Sequence, residues 1–194
     1  MPAIVDHDQR RQELAAIAAT LVATGGADAV TVRAVARLAG FSTKAVSHYF
    51  ENKRALLLAT YRFAASRSAT ITEATQTAPD IDVIRFVQAL LPIEPAQRQN
   101  WLIWYAFWGH AITDSEFAME QRSQVDRTRL RIRELMQRDL RFQSSTPAMI
   151  RRSARDALSE VIGVSLQAIF DQSYWTPARQ RIAVKRRVLA CAGA

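Results

Sequence analysis

Four hydrogen-bonding side chains stand close together in the stretch STKAVSHYFENK, residues 42–53: Thr43, Lys44, Ser47 and His48. Residues three and four apart share one face of a helix, so a helix here would present their hydroxyl, ammonium and imidazole groups together. Such groups can bind the acceptor-rich base edges of DNA or a phosphate oxygen. They do not predict nucleophilic catalysis, because Ser47 and His48 are adjacent in the chain and adjacent helix positions do not face each other.

The apolar side chains of the same stretch indicate how this helix is held. Val46, Tyr49 and Phe50 are also spaced three and four residues apart, and they share a different face. A helix of about seven residues is too short to be stable alone. We therefore expect Val46 and Phe50 to be buried against neighbouring helices.

A second short helix precedes this stretch. Thr31 is a good N-cap for it, Gly40 is a good stop, and Ser42 is a good N-cap for the helix that follows. Two short helices joined by a glycine-containing turn, the second exposing small polar groups and a lysine, predict a helix-turn-helix. Each helix N-terminus also offers free backbone N–H groups to a phosphate.

The rest of the chain shows helical spacing too, with no convincing run of alternating strand residues between turn signals. We predict an all-α protein of nine helices, in which residues 1–52 form a small bundle, helix four, at about 53–77, connects, and residues 78–194 form a larger helical domain. The first helix is predicted from near Asp6 to Gly25-Gly26, and the seventh from Asp114 or Ser115 to about Phe142. The eighth is predicted over about 148–174, and the ninth opens at Thr176-Pro177.

The composition favours a polyanionic partner and does not support an enzyme. The formal net charge is +8 and the pI is about 10.5, and binding to phosphates releases condensed counterions. With three histidines, the single cysteine Cys191 and no phosphate-cradling glycine loop, the sequence shows no metal cluster, cofactor site or nucleophile–base pair. No apolar run reaches the roughly 20 residues of a membrane span, and no secretory signal is visible, so we expect a cytoplasmic protein without a membrane partner.

The segment TVRAVARLAGFSTKAVSHYFENKRALLLATY, residues 31–61, resembles the DNA-binding segment of the TetR family of bacterial transcription regulators. The matching features are the helix-two threonine, Ala39-Gly40, the serine at the turn, Tyr49-Phe50, and Lys53 before a leucine-rich helix. The tetrapeptide SHYF particularly resembles the choline-responsive BetI branch of the family. The later segments RQNWLIWYAFWGHA and QRSQVDRTRLRIREL resemble the regulatory domain of that branch. The resemblance implies an N-terminal three-helix DNA-binding bundle and a larger C-terminal domain for ligand sensing and dimerisation.

The resemblance also implies which residues contact a double-stranded DNA operator. Lys44 and Arg54 depart from the family, which often has a small residue at the first position and an acidic one at the second. Three of these residues have an alternative structural role. Tyr49 could be a core aromatic residue whose hydroxyl is solvated, and Lys44 and His48 could be solvated surface residues. The predicted base-reading residues are Thr43, Lys44, Ser47 and His48; the predicted phosphate contacts are Thr31, Ser42, Tyr49, Lys53 and Arg54, with Arg10 and Arg11 as further candidates for phosphate or the minor groove.

An aromatic stripe marks the sixth predicted helix. Trp101, Trp104, Tyr105 and Trp108 fall on one face, and such a stripe is more often core than cavity. In a sensing domain the same rings could line a ligand pocket, and aromatic rings attract quaternary ammonium groups such as that of choline. The stripe therefore predicts either packing or an effector site.

Two features of the C-terminal half bear on partners. The arginine-rich seventh helix is interleaved with apolar residues, which favours an amphipathic helix with a solvated face over a second nucleic-acid patch. By resemblance, helices eight and nine of two subunits form a four-helix dimer interface. The leading hypothesis is a homodimeric repressor released by a small molecule; the alternatives are a helical ligand-binding or interaction module without operator recognition, and an activator of the same fold.

Overall fold

The computed structural model describes residues 7–76 and 82–192, and the side chains of all of these except 68–76. Within these ranges the chain forms α-helices and two short 3₁₀-helices without any strand, which confirms the all-α prediction. The predicted cap at Asp6 lies outside the described residues. The helices are α1 His7–Gly25, α2 Val32–Ala39, α3 Thr43–Tyr49, α4 Lys53–Gln76, α5 Val83–Ala89, α6 Pro95–Thr113, α7 Ser115–Arg138, α8 Pro147–Phe170 and α9 Pro177–Ala192.

Side-chain caps begin three consecutive helices. Thr31, Ser42 and Asn52 each accept a hydrogen bond from the backbone N–H three residues further on, at 3.0, 3.1 and 2.9 Å respectively. These bonds satisfy donors that the first turn of a helix otherwise leaves without a partner. The predicted starts of α2, α3 and α4 are thereby confirmed.

Two predicted helix ends are wrong, and an aspartate explains each. α7 ends at Arg138 instead of reaching Phe142, because the side chain of Asp139 caps a 3₁₀-helix that follows. α8 ends at Phe170, about one turn early, because the Asp171 carboxylate accepts the backbone N–H three residues on at 3.0 Å and turns the chain. Aspartate favours such local turns over continued helix.

The helices group into two compact units. The first consists of Met1–Ser68 with Leu102–Glu120, and the second of Ala69–Trp101 with Gln121–Ala194. These units divide three helices, α4, α6 and α7, whereas the sequence places its boundaries near 52 and 78. The domain boundaries drawn from the sequence stay a prediction.

The first unit has one apolar core beneath α2 and α3. Its largest fully buried side chains include Leu14 of α1, Phe50 after α3, Tyr61 of α4, Phe107 of α6 and Phe117 of α7. The Phe107 ring lies edge-on to that of Tyr61 at 5.5 Å between centroids and stacks on Phe117 at 5.7 Å. α3 therefore rests on a core to which α1, α4, α6 and the start of α7 contribute.

The second unit is built around α8. Its buried face, which includes Ala154, Ala157, Val161 and Val164, packs with α9 and α5. These small and β-branched residues allow close helix approach. The Gln88 side chain of α5 also donates to the carbonyl of Arg181 in α9 at 3.1 Å.

Gly40 ends α2 in the left-handed conformation, with φ 70° and ψ 25°. The following N–H, that of Phe41, donates to the carbonyl of Ala36 at 2.9 Å, which is the long hydrogen bond of a Schellman cap. This cap reverses the chain between α2 and α3. Its geometry depends on a residue that tolerates positive φ.

Gly40→Ala is expected to lower the free energy of unfolding by about 1–2 kcal/mol through left-handed strain, since a Cβ at this position meets nothing within 4 Å. Gly109→Ala is the matched control, because Gly109 lies inside α6 and its Cβ also meets nothing. That control is expected to stabilise the protein by roughly 0.5–1 kcal/mol. Urea unfolding of both variants measures the difference, and equal effects of the two would contradict the strain argument.

Candidate functional site

The two faces of α3 separate as its spacing predicts. Thr43, Lys44, Ser47 and His48 are all exposed, while Val46 is fully buried. The exposed side chains lie on successive turns and carry donors, acceptors and one formal positive charge. Their roles toward DNA stay a prediction, but the structure brings all four to one free surface.

The end of α3 is held by a contact that sequence spacing does not reveal. Phe50 is 1% exposed, and the guanidinium of Arg11 lies 4.7 Å from the centre of its ring. Arg11 also donates from Nη1 to the carbonyl of Tyr49, which a helix C-terminus leaves without a backbone partner. The structure thus places Arg11 where it helps to hold the end of α3, and the predicted contact of Arg11 with phosphate or the minor groove stays a prediction.

Tyr49 and His48 lie beside the start of α1. The ring of Tyr49 is half-buried, 4.8 Å from that of His7, and the ring of His48 is 6.0 Å from His7 in an edge-on arrangement. Tyr49 therefore combines packing with partial exposure. Both alternatives that the sequence leaves open for it are compatible with this position.

The predicted phosphate contacts Thr31, Ser42 and Lys53 are all exposed, each at or beside a helix start. Lys53 Nζ lies 3.4 Å from the carboxylate of Asp28, whose own side chain is fully exposed. A long ion pair at such an exposed site contributes about 0–1 kcal/mol. It leaves the lysine free to exchange its partner for a phosphate.

Sequence reasoning missed two arginines on α2. Arg33 and Arg37 are exposed and one turn apart, and they lie opposite the apolar stripe of the helix. Their i, i+4 spacing against that stripe is the signal that could have revealed them. They border a groove of about 490 Å³ lined by Thr31, Arg33, Ala34, Ala36, Arg37, Phe41 and Thr43.

Arg54 has protein partners in the structure. Its Nε and Nη2 donate to the two carboxylate oxygens of Asp114 at 2.5 and 2.8 Å, and Nη2 also lies 2.9 Å from Glu116 Oε2. Asp114 caps α7 at the same time, accepting the backbone N–H of Glu116 at 2.9 Å. The hydrogen bonds from Arg54 hold the pKa of the Asp114 carboxyl well below its ordinary range. The phosphate contact expected of Arg54 would require it to leave this paired arrangement.

Asp114→Asn is expected to lower the melting temperature at neutral pH, and Asp114→Ala to lower it further, because asparagine retains a capping oxygen and alanine does not. The folded carboxyl has a lowered pKa, so its stabilisation is present above the unfolded pKa and is lost as pH falls through the folded value. The difference between wild type and Asp114→Asn should therefore shrink between about pH 5 and pH 1. Thermal unfolding across that range measures it, with the fully exposed Asp28→Asn as the control; a pH-independent difference would refute the ion pair.

The aromatic residues of α6 do not form one uniform stripe. Ile103 and Phe107, which spacing places on another face, are the deeply buried residues at 2% and 0% exposure, while Tyr105 and Trp108 are half-buried. Trp101 is 4% exposed and donates its indole N–H to a carbonyl in its own unit, which is a packing role. The true core face of α6 is thus offset from the aromatic one, because the neighbours of a helix and not its bulkiest residues decide which face is covered.

Tyr105 and Trp108 form an edge-to-face ring pair. Their centroids lie 5.0 Å apart at 89°. Desolvation raises the pKa of the Tyr105 phenol, which stays protonated and able to donate. Within the described residues the Trp108 indole N–H is buried without an acceptor. A buried donor without a partner is costly and is a reason to look for one from outside the chain. Trp104, also half-buried, lies one residue before Tyr105.

Comparison with protein families assigns both parts of the chain. Residues 82–193 match the C-terminal domain of BetI-type transcriptional repressors, and residues 14–60 match the bacterial regulatory proteins of the tetR family. The first match alone covers more than half of the chain. The protein belongs to the BetI-type branch of the TetR family. The resemblance seen in the SHYF segment and in the later helices is confirmed.

Individual relatives of this BetI-type protein are distant. The HTH-type transcriptional regulator BetI of Vibrio atlanticus (strain LGP32) is 28% identical over 127 residues, and the alignment spans 63% of this chain and 64% of that regulator, just under two thirds of its length. A transcriptional regulator from Rhodococcus sp. Rha1 superposes with a TM-score of 0.81 at 23% identity, covering 94% of this chain and 96% of that one. A Saccharomonospora viridis protein crystallised with choline superposes with a TM-score of 0.82 at 16% identity, covering 92% and 95%. The structural likenesses show a shared fold.

Neither a membrane span nor a metal cluster occurs in residues 7–76 and 82–192 of this BetI-type chain. None of the helices there combines the length and apolar character needed to cross a bilayer. No group of three or more histidine, cysteine or acidic side chains in the same ranges is arranged to hold a metal ion.

Proposed function

We propose that this BetI-type protein is a transcriptional repressor that binds a near-palindromic operator as a homodimer and releases it when a small molecule binds. The observation that carries the proposal is the exposed polar face of α3 above buried Val46 and Phe50. A helix in this arrangement can enter the major groove, which is wide enough to admit it. Family membership supports the same interpretation.

Base reading and backbone positioning fall to different residues. Thr43, Ser47 and His48 can donate to or accept from base edges, and Lys44 can donate to guanine O6 or N7. The proposed phosphate contacts lie at the ends of the short helices: Thr31 and Ser42 before α2 and α3, Tyr49 at the end of α3, and Lys53 at the start of α4. Arg33 and Arg37 of α2 add two exposed guanidinium groups. Contacts to phosphates fix the register of the helix but carry no base information. This surface is therefore suited to reading a few bases while held by a ring of phosphate contacts.

Dimerisation is proposed through α8 and α9. Both helices expose large apolar side chains, including Leu166 and Phe170 on α8 and Ile182 and Leu189 on α9, with Phe170 81% exposed. Exposed apolar residues gathered on neighbouring helices mark interaction surfaces. A homodimer that binds successive major grooves requires its two α3 helices to lie about 34–36 Å apart.

The effector is proposed to be a cation of the quaternary ammonium class, such as choline. Tyr105 and Trp108 supply two rings at right angles, and a ring face attracts a cation within about 6 Å. Trp104 is the third candidate of this set. The choline-bound structural relative supports this choice. A coupling of roughly 1–3 kcal/mol between effector and operator binding would suffice for release.

Selection from random duplexes tests the operator proposal. We expect the full chain to enrich a near-palindrome, and a titration of that duplex to give two protomers per site. Enrichment of no motif, with equal affinity for any duplex, would favour the rival ligand-binding or interaction module. Transcription assays on the selected site, with and without the protein, then separate repression from activation.

Calorimetry with choline tests the effector proposal independently of DNA. We expect the wild-type chain to bind choline, and Trp108→Leu to abolish the heat. The control is Trp175→Leu, because the Trp175 indole already donates to Gln167 at 3.2 Å. Normal operator binding by a wild-type chain that gives no heat with choline or betaine would remove this effector class and leave the operator proposal standing.

Sedimentation tests the dimer. Phe170→Glu is expected to weaken self-association, because it puts a charge in place of an exposed apolar side chain of the proposed interface. Leu140→Glu is the matched control, since Leu140 is 76% exposed but lies outside α8 and α9. If both variants sediment like the wild type as dimers, the interface lies elsewhere.

A further inference from the structure

A groove between α7 and α8 carries four guanidinium groups and one carboxylate. Its volume is about 280 Å³. Only Leu130 and Ala154 among its lining residues are apolar. Its charged lining residues are Asp126, Arg129, Arg133, Arg151 and Arg155.

The positive charge of this arginine groove is only partly neutralised. Arg129 is paired with Asp126 one turn away on α7. Among the described residues Arg133, Arg151 and Arg155 have no carboxylate within ion-pair distance, although other surface arginines such as Arg187 do. Three guanidinium groups that converge without a counter-ion repel one another, and a bound anion would relieve that repulsion.

One residue that lines the groove, Arg133, has a buried donor without an acceptor among the described residues. This donor is the Nε–H of its guanidinium group. A buried donor left unpaired costs free energy, and more so when it carries charge. An anion in the groove is the partner that could accept from it.

We propose that the arginine groove binds a phosphate-bearing small molecule, at a site separate from the aromatic pair of α6. Planar guanidinium groups match phosphate oxygens in pairs, so arginine suits phosphate recognition better than lysine does. Three uncompensated cations favour a multivalent anion such as a diphosphate over a monocarboxylate, which would leave most of the charge unpaired. A volume of about 280 Å³ holds several groups the size of a water molecule, each of which occupies about 30 Å³ in the liquid.

The proposal does not depend on operator binding. Arg151 and Arg155 lie one turn apart on the exposed side of α8, well before Phe170 at its end. The competing occupant is an acidic side chain from a second copy of the chain. A second copy would fill the groove only in the dimer, whereas a small anion would bind with a saturable stoichiometry of one per protomer.

Calorimetric titration of the full chain with pyrophosphate at physiological ionic strength tests the site. Arg151→Gln with Arg155→Gln is expected to weaken binding by at least about tenfold, because each removes a charge-assisted hydrogen bond. The control is Arg152→Gln with Arg181→Gln, which removes the same formal charge from exposed α8 and α9 positions outside the groove. We expect the control to bind within about twofold of wild type, since it leaves every arginine of the groove in place and removes only exposed charge that solvent and salt screen.

Three outcomes would overturn the proposal. The first is a wild-type chain that gives no saturable heat with pyrophosphate. The second is an equal loss of affinity in both double variants, which would indicate a general attraction to basic surface. The third is a groove variant that loses dimerisation in sedimentation while pyrophosphate binds the wild type no better than acetate does, which would assign the groove to a second copy. Unchanged thermal unfolding of the groove variant shows that a measured loss of affinity belongs to the site.

Discussion

Replacing Thr43, Lys44 and Ser47 together with alanine is expected to abolish operator discrimination without unfolding the protein. All three side chains are exposed, so their removal leaves no cavity. A good base contact is worth about 1–3 kcal/mol of discrimination, so removing three should lower specific affinity by at least about a hundredfold. Affinity for random DNA should fall much less, since of the three residues only Lys44 carries charge. Fluorescence anisotropy with the selected operator and a scrambled duplex, at one fixed salt concentration, measures both.

Arg33→Ala with Arg37→Ala is the informative control for this triple variant. It removes two exposed charges of α2 and leaves intact the exposed polar face of α3, which consists of Thr43, Lys44, Ser47 and His48. We expect it to weaken binding to both duplexes alike and to reduce the salt slope by roughly 0.9 for each phosphate that the variant no longer neutralises. A triple variant that weakened binding to both duplexes by one common factor would mean that α3 does not read bases.

Lys44 alone is expected to decide part of the sequence preference. Its single substitution to alanine should leave a palindromic site but relax the base opposite it, because a lysine donating to guanine is replaced by a methyl group. Repeating the selection from random duplexes with Lys44→Ala measures this shift. An unchanged motif would return Lys44 to the solvated surface role that its exposure also allows.

Helix α3 could be predicted from the sequence because every signal that defines it is local. Caps at Thr31 and Ser42, the stop at Gly40 and the spacing of Val46 and Phe50 all act within one or two turns. Each is also a matter of backbone sterics or of periodicity, which sequence carries directly. The structure accordingly confirms the starts of α2 and α3 and the burial of Val46 and Phe50.

The partners of the arginines could not be predicted, because they come from distant parts of the chain. Arg54 lies 60 residues from Asp114, and Arg11 lies 38 residues from the carbonyl it binds. Nothing in the spacing around either arginine distinguishes an internal partner from a phosphate. For α6, the spacing of Trp104, Tyr105 and Trp108 likewise does not indicate which face of the helix is buried in the core.

The arrangement around α3 links its stability to its function. The helix presents four polar side chains to solvent but contributes only Val46 and the following Phe50 to the core. Arg11 covers the Phe50 ring and binds the last carbonyl of α3 at once. The position of the exposed polar face of α3 therefore depends on very few buried groups.

Phe50→Ala is for this reason expected to be the most damaging single core substitution near the exposed face of α3, which is proposed to bind DNA. Truncating a buried phenylalanine costs about 3–5 kcal/mol, against a typical total stability of roughly 5–15 kcal/mol for a domain. Phe50 lies at 1% exposure among the residues of the first unit's core, so the site has little freedom to collapse. The variant should unfold at much lower urea concentration.

Phe41→Ala separates this effect from the removal of any aromatic ring beside α3. Phe41 is 39% exposed and lies in the turn, with the guanidinium of Arg10 5.1 Å from the centre of its ring. Its substitution should cost only about 0.5–1 kcal/mol, the worth of an exposed cation–π contact. Urea unfolding of both variants beside wild type gives the comparison, and anisotropy at low temperature, where Phe50→Ala is most folded, tests the link to function. Loss of operator affinity in Phe50→Ala but not in Phe41→Ala is expected, because Phe50 is buried in the core beneath α3 whereas Phe41 is partly exposed. Equal stability losses would mean that α3 is held by other contacts.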